Sequence, residues 1–225
     1  DNVNTAEDEN RILFIGSIHG NERSCFVIML RLINYLLENY NSNTQVYDLV
    51  NNYEIWVNPL LNPDGTYADN DASTDEATRN NANGIDLNRN FPDFVEGEYP
   101  GGARQPETQT IIDLFNQYDF ALSADFHTGF ESVVYPWLTT TNSHPKESLY
   151  QTISSDYAQL AQQYSPFEPD YFKTFNSSGY IQGSHAYIVH GSISDYVNYY
   201  HDCFNLTIEI SEDKMLPENQ LDDMW

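Results

Sequence analysis

The chain has 225 residues and carries 34 acidic side chains against nine Lys and Arg, a formal net charge of −25 at pH 7. This charge argues against a nucleic-acid partner and against an anionic membrane surface. The length suits one large domain or two small ones, and no linker or composition shift marks a domain boundary. No apolar run reaches the roughly 18 residues of a membrane span. Cys25 and Cys203 permit at most one disulfide, and Cys25 falls in an apolar helical pattern, where a buried free thiol is expected.

The first third of the chain predicts two strands separated by a helix. A short apolar run predicts a buried strand at 13–18, and apolar residues at helical spacing predict a helix over 24–37. A second strand is predicted at 53–60, where the turn signal Asn62-Pro63-Asp64-Gly65 ends it. The polar segment 66–83 predicts a long surface loop, and long loops are usually functional.

The rest of the chain continues the alternation of strands and helices. The predicted strands lie at 120–126, 133–137 and 206–211, with helices starting near 105 and covering 148–163, and a loop at 165–185. This alternation predicts an α/β fold whose mixed or mostly parallel sheet is covered on both faces.

Two histidines follow predicted strands. His19 and Glu22 lie where the first strand gives way to a helix, and His127 ends the strand at 120–126. Taken alone, Glu22 reads as a first-turn acid that interacts with the helix dipole, and His19 as a loop histidine. Together with His127, however, they supply the two His and one carboxylate of hydrolytic zinc sites. Ligands bind at the carboxyl ends of strands in open α/β sheets, so we expect the three side chains to converge there on one Zn²⁺.

Several further motifs occur in a fixed order. They are His19-x-x-Glu22, Asn62-Pro63-Asp64-Gly65, Asp86-Leu87-Asn88-Arg89-Asn90-Phe91, Gln105-Pro106-Glu107-Thr108, Asp125-Phe126-His127 and Thr207-Ile208-Glu209-Ile210-Ser211. From about residue 11 to Trp225, this order resembles the zinc metallocarboxypeptidases of the pancreatic carboxypeptidase superfamily. The stretches 79–91 and 203–211 are most similar to the regulatory N/E-type branch.

The resemblance implies a fold and a metal site. The fold is a three-layer α/β/α domain with a central twisted mixed sheet, formed as one catalytic unit over 1–225. We interpret the chain as a fragment, because the edge strands before the first motif and the closing helix after the last one look short or absent. His19, Glu22 and His127 are the implied zinc ligands, with Asp86 orienting a ligand imidazole through its other nitrogen.

The resemblance also implies the residues of catalysis and substrate binding. Glu209 is the implied general base and acid, and Arg79 polarises the scissile carbonyl and stabilises the oxyanion. Asn88 and Arg89 bind the terminal carboxylate of the substrate, and Tyr187 closes over it. Ordinary alternatives stand beside these roles: Arg79 as a surface arginine, Glu209 as a solvent-facing strand acid, and Tyr187 as one of 17 packing tyrosines.

Two neutral residues predict the preferred substrate. Relatives that cut after Lys or Arg carry an acid in the specificity pocket, at the positions that Leu138 and Ser194 occupy in this chain. Thr207 is neutral as well, so we expect a preference for apolar or aromatic C-terminal residues. Two features oppose this prediction: the overall charge attracts basic peptides from a distance, and the alternative stays open that Glu131 or another acid reaches the pocket by a different route.

The predicted function is therefore zinc-dependent release of C-terminal residues from peptides or proteins by a secreted or periplasmic monomer, with no nucleic-acid or membrane partner. One alternative is another zinc hydrolase on the same fold: an amidase, a deacylase or a peptidoglycan peptidase. The other is a catalytically silent peptide-binding module, which would be expected to lack a ligand or the base. His144, His185, His190 and His201 match no ligand pattern and are interpreted as structural or exposed.

Overall fold

The structure is a computed structural model that describes residues 9–98, 100–164 and 170–221. Its strands are β1 (Asn10–Gly16), β2 (Tyr53–Asn58), β3 (Phe120–His127), β4 (Phe130–Tyr135), β5 (Tyr180–Gln182) and β6 (Phe204–Ser211). The helices are α1 (Arg23–Asn39), α2 (Thr44–Asn52), α3 (Pro63–Thr66), α4 (Pro106–Gln117), α5 (Glu147–Tyr164), α6 (Gly183–Ala186), α7 (Ile193–His201) and α8 (Glu218–Leu221). A 3₁₀ turn covers Leu87–Arg89.

The six described strands form one mixed sheet in the order β2-β1-β3-β6-β4-β5. Strands β2, β1, β3 and β6 are parallel, whereas β4 runs antiparallel to β6 and parallel to β5. The carboxyl ends of β1, β3 and β6 therefore meet at one edge of the sheet, as the sequence predicts for His19 and His127.

Both faces of the sheet are covered by helices. Leu13 and Ile15 of β1 pack with the buried face of α4 and α7, while the intervening Phe14 packs on the opposite side with α1 and α5. This alternation follows from the two-residue period of a strand. The three-layer α/β/α arrangement is confirmed. No helix in the described part of the chain is long and apolar enough to cross a membrane.

Several elements differ from the sequence prediction. Helix α2 was not predicted from the sequence. It begins after Asn43, whose side chain accepts hydrogen bonds from two backbone N–H groups of the first turn. The predicted loop at 165–185 is wrong over 180–185, where β5 and most of α6 form; residues 165–169 lie outside the described residues. Helix α7 was not predicted either. Its aromatic and β-branched residues have low helix propensity, and the main helical signal is the N-cap at Ser192.

Both cysteines are buried and free. Cys25 lies in α1, as expected, and Cys203 directly precedes β6. No disulfide therefore stabilises the fold, which depends on its two apolar layers.

Candidate active site

His19, Glu22 and His127 converge at the carboxyl edge of the sheet. The Nδ1 atoms of the two histidines lie 3.1 Å apart. Glu22 Oε1 lies 3.0 Å from His19 Nδ1, and Glu22 Oε2 lies 2.9 Å from His127 Nδ1. Ligand atoms about 2.1 Å from one tetrahedral zinc lie roughly 3.4 Å apart, so these donor atoms fit around a single ion after only small shifts.

The outward nitrogen of each imidazole faces a carboxylate. His19 Nε2 lies 3.2 Å from Asp86 Oδ1, and His127 Nε2 lies 3.1 Å from Asp125 Oδ2. Thr207 donates a hydrogen bond of 2.8 Å to Asp125 Oδ2 and fixes that carboxylate. A carboxylate behind a histidine fixes the tautomer and turns the lone pair of the inner nitrogen toward a metal. Asp86 was predicted for this position; the equivalent placement of Asp125 follows from its spacing of two residues from His127 along β3.

The local electrostatics favour a cation. Burial opposes ionisation of Glu22, but the nearby His127 and His19 hold the pKa of its carboxyl well below the usual value. Burial alone would lower the pKa of His127, yet the charge of Glu22 and the contact with Asp125 raise it to about 10. A buried site that binds a proton this strongly attracts positive charge. The types of donor atom, the distances between them and the negative electrostatic potential at the cluster therefore fit the zinc ion that the sequence implies.

Arg79 lies beside this cluster at the end of the long 66–83 loop. Its Nε donates a 2.9 Å hydrogen bond to Asp86 Oδ2, and its Nη1 lies 3.9 Å from Glu22 Oε1. Its carbonyl oxygen accepts from the backbone N–H of Gly20 and from the side chain of Asn62, which ties the loop to the strand end. The loop therefore returns a half-exposed guanidinium to the His19–Glu22–His127 cluster.

Glu209 lies in β6, opposite His127 in the β3–β6 register. Its side chain is buried and lines the pocket, and among the described residues its Oε2 has no hydrogen-bond partner. Burial is the largest influence and raises the pKa of Glu209 to about 7, with Glu22 and Asp125 acting in the same direction and His127 and Lys214 opposing. A buried carboxylate with one free oxygen and a near-neutral pKa has the properties of a proton acceptor.

Asn88 and Arg89 line the same pocket from the 3₁₀ turn. Asn88 Oδ1 accepts a 2.9 Å hydrogen bond from the backbone N–H of Ile193, which joins the turn to the start of α7. The backbone of Arg89 is closely packed: a Cβ on Gly101 or Gly191 would lie only 2.1 or 2.6 Å from its carbonyl oxygen. Both glycines are therefore required for the position of the arginine.

The pocket has a volume of about 200 Å³ and an apolar recess at one end. Val134, Leu138 and Val189 form the recess, and Gly183 contacts Leu138 so closely that a Cβ there would lie 2.4 Å from Leu138 Cγ. Tyr187 lies at the mouth with 47% of its surface exposed. Burial, followed by the charge of Glu209, raises the pKa of the Tyr187 hydroxyl.

The segment that carries Leu138 is held by a buried carboxylate. Asp195 accepts hydrogen bonds from the backbone N–H groups of Leu138 and Thr139, at 2.8 to 3.0 Å. Ser194 is not among the residues that line this pocket, and its contact with substrate stays a prediction. Ser194 is the second residue of α7 and is 1% exposed, so the helix turns it into the interior while its neighbour Asp195 supports the recess. Lys214, which the sequence patterns did not indicate, also lines the pocket.

Comparison with known proteins extends this picture. Residues 2–225 match the family model "Zinc carboxypeptidase". Human carboxypeptidase D is 34% identical over 228 residues, which cover 96% of this chain and 16% of that protein. The catalytic chain of human carboxypeptidase N is 30% identical over 257 residues, covering 96% of this chain and 54% of that one. These two relatives confirm the resemblance to the regulatory branch.

The fold agrees with solved structures. The crystal structure of thrombin activatable fibrinolysis inhibitor aligns with a TM-score of 0.81 at 17% identity, covering 97% of this chain and 59% of that one. The chain spans between one sixth and about half of the length of the two carboxypeptidases compared above. On the family match and the fold together, this chain belongs to the zinc carboxypeptidase family.

Proposed function

We propose that this chain is a metallocarboxypeptidase that releases the C-terminal residue of peptides or proteins. One observation carries the proposal: a single pocket is lined by the His19–Glu22–His127 cluster, by the free carboxylate oxygen of Glu209 and by Arg89. These groups correspond to a metal site, a proton acceptor and a carboxylate binder. An exopeptidase that acts at the C-terminus needs all three within the length of one residue.

His19, Glu22 and His127 would hold the zinc ion. When bound, zinc supplies a polarised carbonyl and a water of near-neutral pKa. Glu209 would take up a proton at Oε2 and later deliver it to the leaving amine. The guanidinium of Arg79 stabilises the negative charge that develops on the carbonyl oxygen.

The substrate is oriented by its free carboxylate. Arg89 binds it with a planar fork that matches two oxygens, and Asn88 donates from the same turn. Tyr187, at the pocket mouth, covers the carboxylate and keeps water away from it. An amidase or deacylase whose substrate lacks this group would gain nothing from Arg89.

The apolar recess accommodates the C-terminal side chain. Among the described residues, the acids that line the pocket are Glu22 and Glu209. Both lie at the end that carries the histidine cluster, away from the recess. Glu131 lies in a neighbouring groove, and the carboxylate oxygens of Asp195 accept hydrogen bonds from the backbone behind Leu138. A Lys or Arg side chain in the recess would therefore be buried without a counter-ion, whereas Phe or Leu would gain apolar contacts.

The test is a digest of matched peptides that end in Phe, Leu, Lys or Arg, carried out with the zinc-loaded protein. We expect single-residue shortening from the C-terminus, with kcat/KM highest for Phe or Leu. A C-terminally amidated copy of each peptide is the control and should be cut at least about tenfold more slowly, equivalent to about 1.4 kcal/mol. Equal cleavage of free and amidated peptides would contradict the exopeptidase proposal. A preference for peptides that end in Lys or Arg would contradict only the proposal that the recess favours apolar side chains, and would leave the exopeptidase proposal intact.

A further inference from the structure

The pocket continues beyond the catalytic carboxylate, away from the recess. In the β4–β6 pairing, Val134 lies opposite Thr207, Ser132 opposite Glu209, and Phe130 opposite Ser211. Successive pairs are separated by two residues, about 7 Å along the strands. The recess therefore lies on one side of Glu209. The residue that precedes the scissile bond must lie on the other side, near Phe130.

Lys214 brings a positive charge to this second side. Its Nζ donates a 2.7 Å hydrogen bond to Glu22 Oε1 and another to the carbonyl oxygen of Thr128. An ammonium has three donors, so these two contacts leave one N–H available. The side chain is 42% exposed and lines the pocket, which leaves this donor accessible to a substrate.

The surroundings of Lys214 are built to hold it there. A Cβ on Gly129 would lie 2.9 Å from Lys214 Nζ and 4.0 Å from Glu209 Oε2, so the ammonium lies against this glycine and beside the catalytic carboxylate. The backbone is fixed on both sides of the lysine. Asp213 N donates to Ser211 Oγ, and Leu216 N donates to the Ser24 hydroxyl at the start of α1.

We propose that Lys214 determines specificity for the residue before the scissile bond and favours an acidic side chain at that position. This inference rests on the proposed carboxypeptidase function. A carboxylate that extends from the penultimate residue toward the Gly129 side gains a charge-assisted hydrogen bond from the third donor of the ammonium. A lysine at the same position meets a like charge and is disfavoured.

Neighbouring acids make the effect of Lys214 measurable. Glu131, Glu212 and Asp213 line an adjacent groove of about 580 Å³, together with Lys173 and Asp170, which pair at 3.6 Å. The groove therefore carries a net negative charge, which favours basic residues in the upstream part of a substrate. Lys214 opposes this field at the penultimate position. Removal of its charge should therefore reverse the preference as well as weaken it.

The experiment measures kcat/KM for blocked dipeptides X-Phe, in which X is Glu, Gln or Lys, at low salt. In the unmodified zinc-loaded protein we expect Glu to exceed Gln, and Gln to exceed Lys. In Lys214→Gln the Glu-to-Lys ratio should fall at least about tenfold and favour Lys, while Lys214→Arg should keep it within threefold. The matched control is Lys146→Gln, which removes the same charge from an exposed pair with Asp202 and should leave the ratio unchanged.

Each outcome separates the two proposals. Because the ratio compares substrates on one variant, a change in metal content cancels; zinc content is measured for each protein as a second readout. A ratio that stays constant between the unmodified protein and Lys214→Gln would overturn the role of Lys214 while leaving the carboxypeptidase proposal intact. A ratio that changes equally in Lys146→Gln would assign the effect to net charge and would also overturn it. If no X-Phe peptide is hydrolysed by the unmodified protein, the proposed function itself fails.

Discussion

The two ends of the pocket are held together by different forces. At the metal end, His19, Glu22 and His127 are almost completely buried and are held by the carboxylates behind the two imidazoles. At the recess end, Leu138 is an apolar side chain whose backbone N–H is bound by Asp195. Interactions between charged groups hold the side chains at the first end in place, whereas backbone hydrogen bonds and apolar packing do so at the second.

This difference indicates what a substitution should do at each end. Removal of one charged group at the metal end leaves its partners buried without compensation, so rate and metal binding should change by large factors. Exchange of a residue in the recess leaves the reacting groups in place and changes mainly which side chain is accepted. The effects should therefore be large and general at one end, smaller and selective at the other.

Loss of a metal ligand should produce the largest effect. In His127→Ala we expect hydrolysis of the Phe-ending peptide to fall below detection, because the remaining His19 and Glu22 provide too few ligands for a catalytic zinc site. Zinc content by elemental analysis should fall with it. The exposed His185→Ala is the matched control and should retain both zinc and activity. Full activity of His127→Ala would remove this residue from the metal site.

Loss of the proton acceptor should be the next largest effect, and it separates metal binding from catalysis. Glu209→Gln keeps the shape of the side chain but cannot take a proton. We expect kcat to fall by roughly 10²- to 10⁴-fold while the protein still binds one zinc. Glu38→Gln on the exposed surface of α1 serves as the control. Near-normal turnover of Glu209→Gln with zinc bound would exclude Glu209 as the base.

The convergence of His19, Glu22 and His127 was predictable from the sequence because these residues lie at or near strand ends. His19 and His127 each follow an apolar run, and the topology of a parallel sheet brings such positions to one edge. The three-layer fold followed from the same alternation of strands and helices. The position of Glu209 opposite His127 was not predictable, since it depends on the register between β3 and β6.

The recess end was less predictable because its contacts are remote in the chain. Leu138 and Asp195 are 57 residues apart and meet only after β5, α6 and α7 have formed, elements that the local pattern did not indicate. Motif position alone indicated Ser194 at the specificity pocket, but it did not indicate that the neighbouring Asp195 binds the backbone of Leu138. Lys214 follows the last strand in an irregular segment, and periodicity carries no information about such a residue.

A charge placed in the recess should shift specificity by a moderate factor. In Leu138→Asp we expect kcat/KM for the Phe-ending peptide to fall and that for the Lys-ending peptide to rise. Their ratio should change by at least about tenfold, because the buried cation gains a partner. Leu160→Asp on the exposed face of α5 introduces the same charge elsewhere and should leave the ratio unchanged. An unchanged ratio in Leu138→Asp would show that the C-terminal side chain binds outside this recess.

The smallest catalytic effect is expected for Asp195→Asn, which alters the support of the recess without touching the substrate. Asp195 is 1% exposed, and its two carboxylate oxygens accept hydrogen bonds from backbone N–H groups. The side-chain amide of the variant has only one oxygen, so its NH₂ group would face a backbone N–H, and two donors would oppose each other. An unsatisfied buried donor costs about 1–3 kcal/mol, so we expect the free energy of unfolding in urea to fall by about this amount. KM should rise several-fold for the peptide that ends in Phe and less for one that ends in Ala, whereas kcat should stay close to the original value because Glu209 and the metal ligands are unaltered.

The exposed Asp113→Asn is the control for both measurements. A large loss of kcat with KM unchanged would mean that the two ends of the pocket are coupled and that the separation drawn between them is wrong.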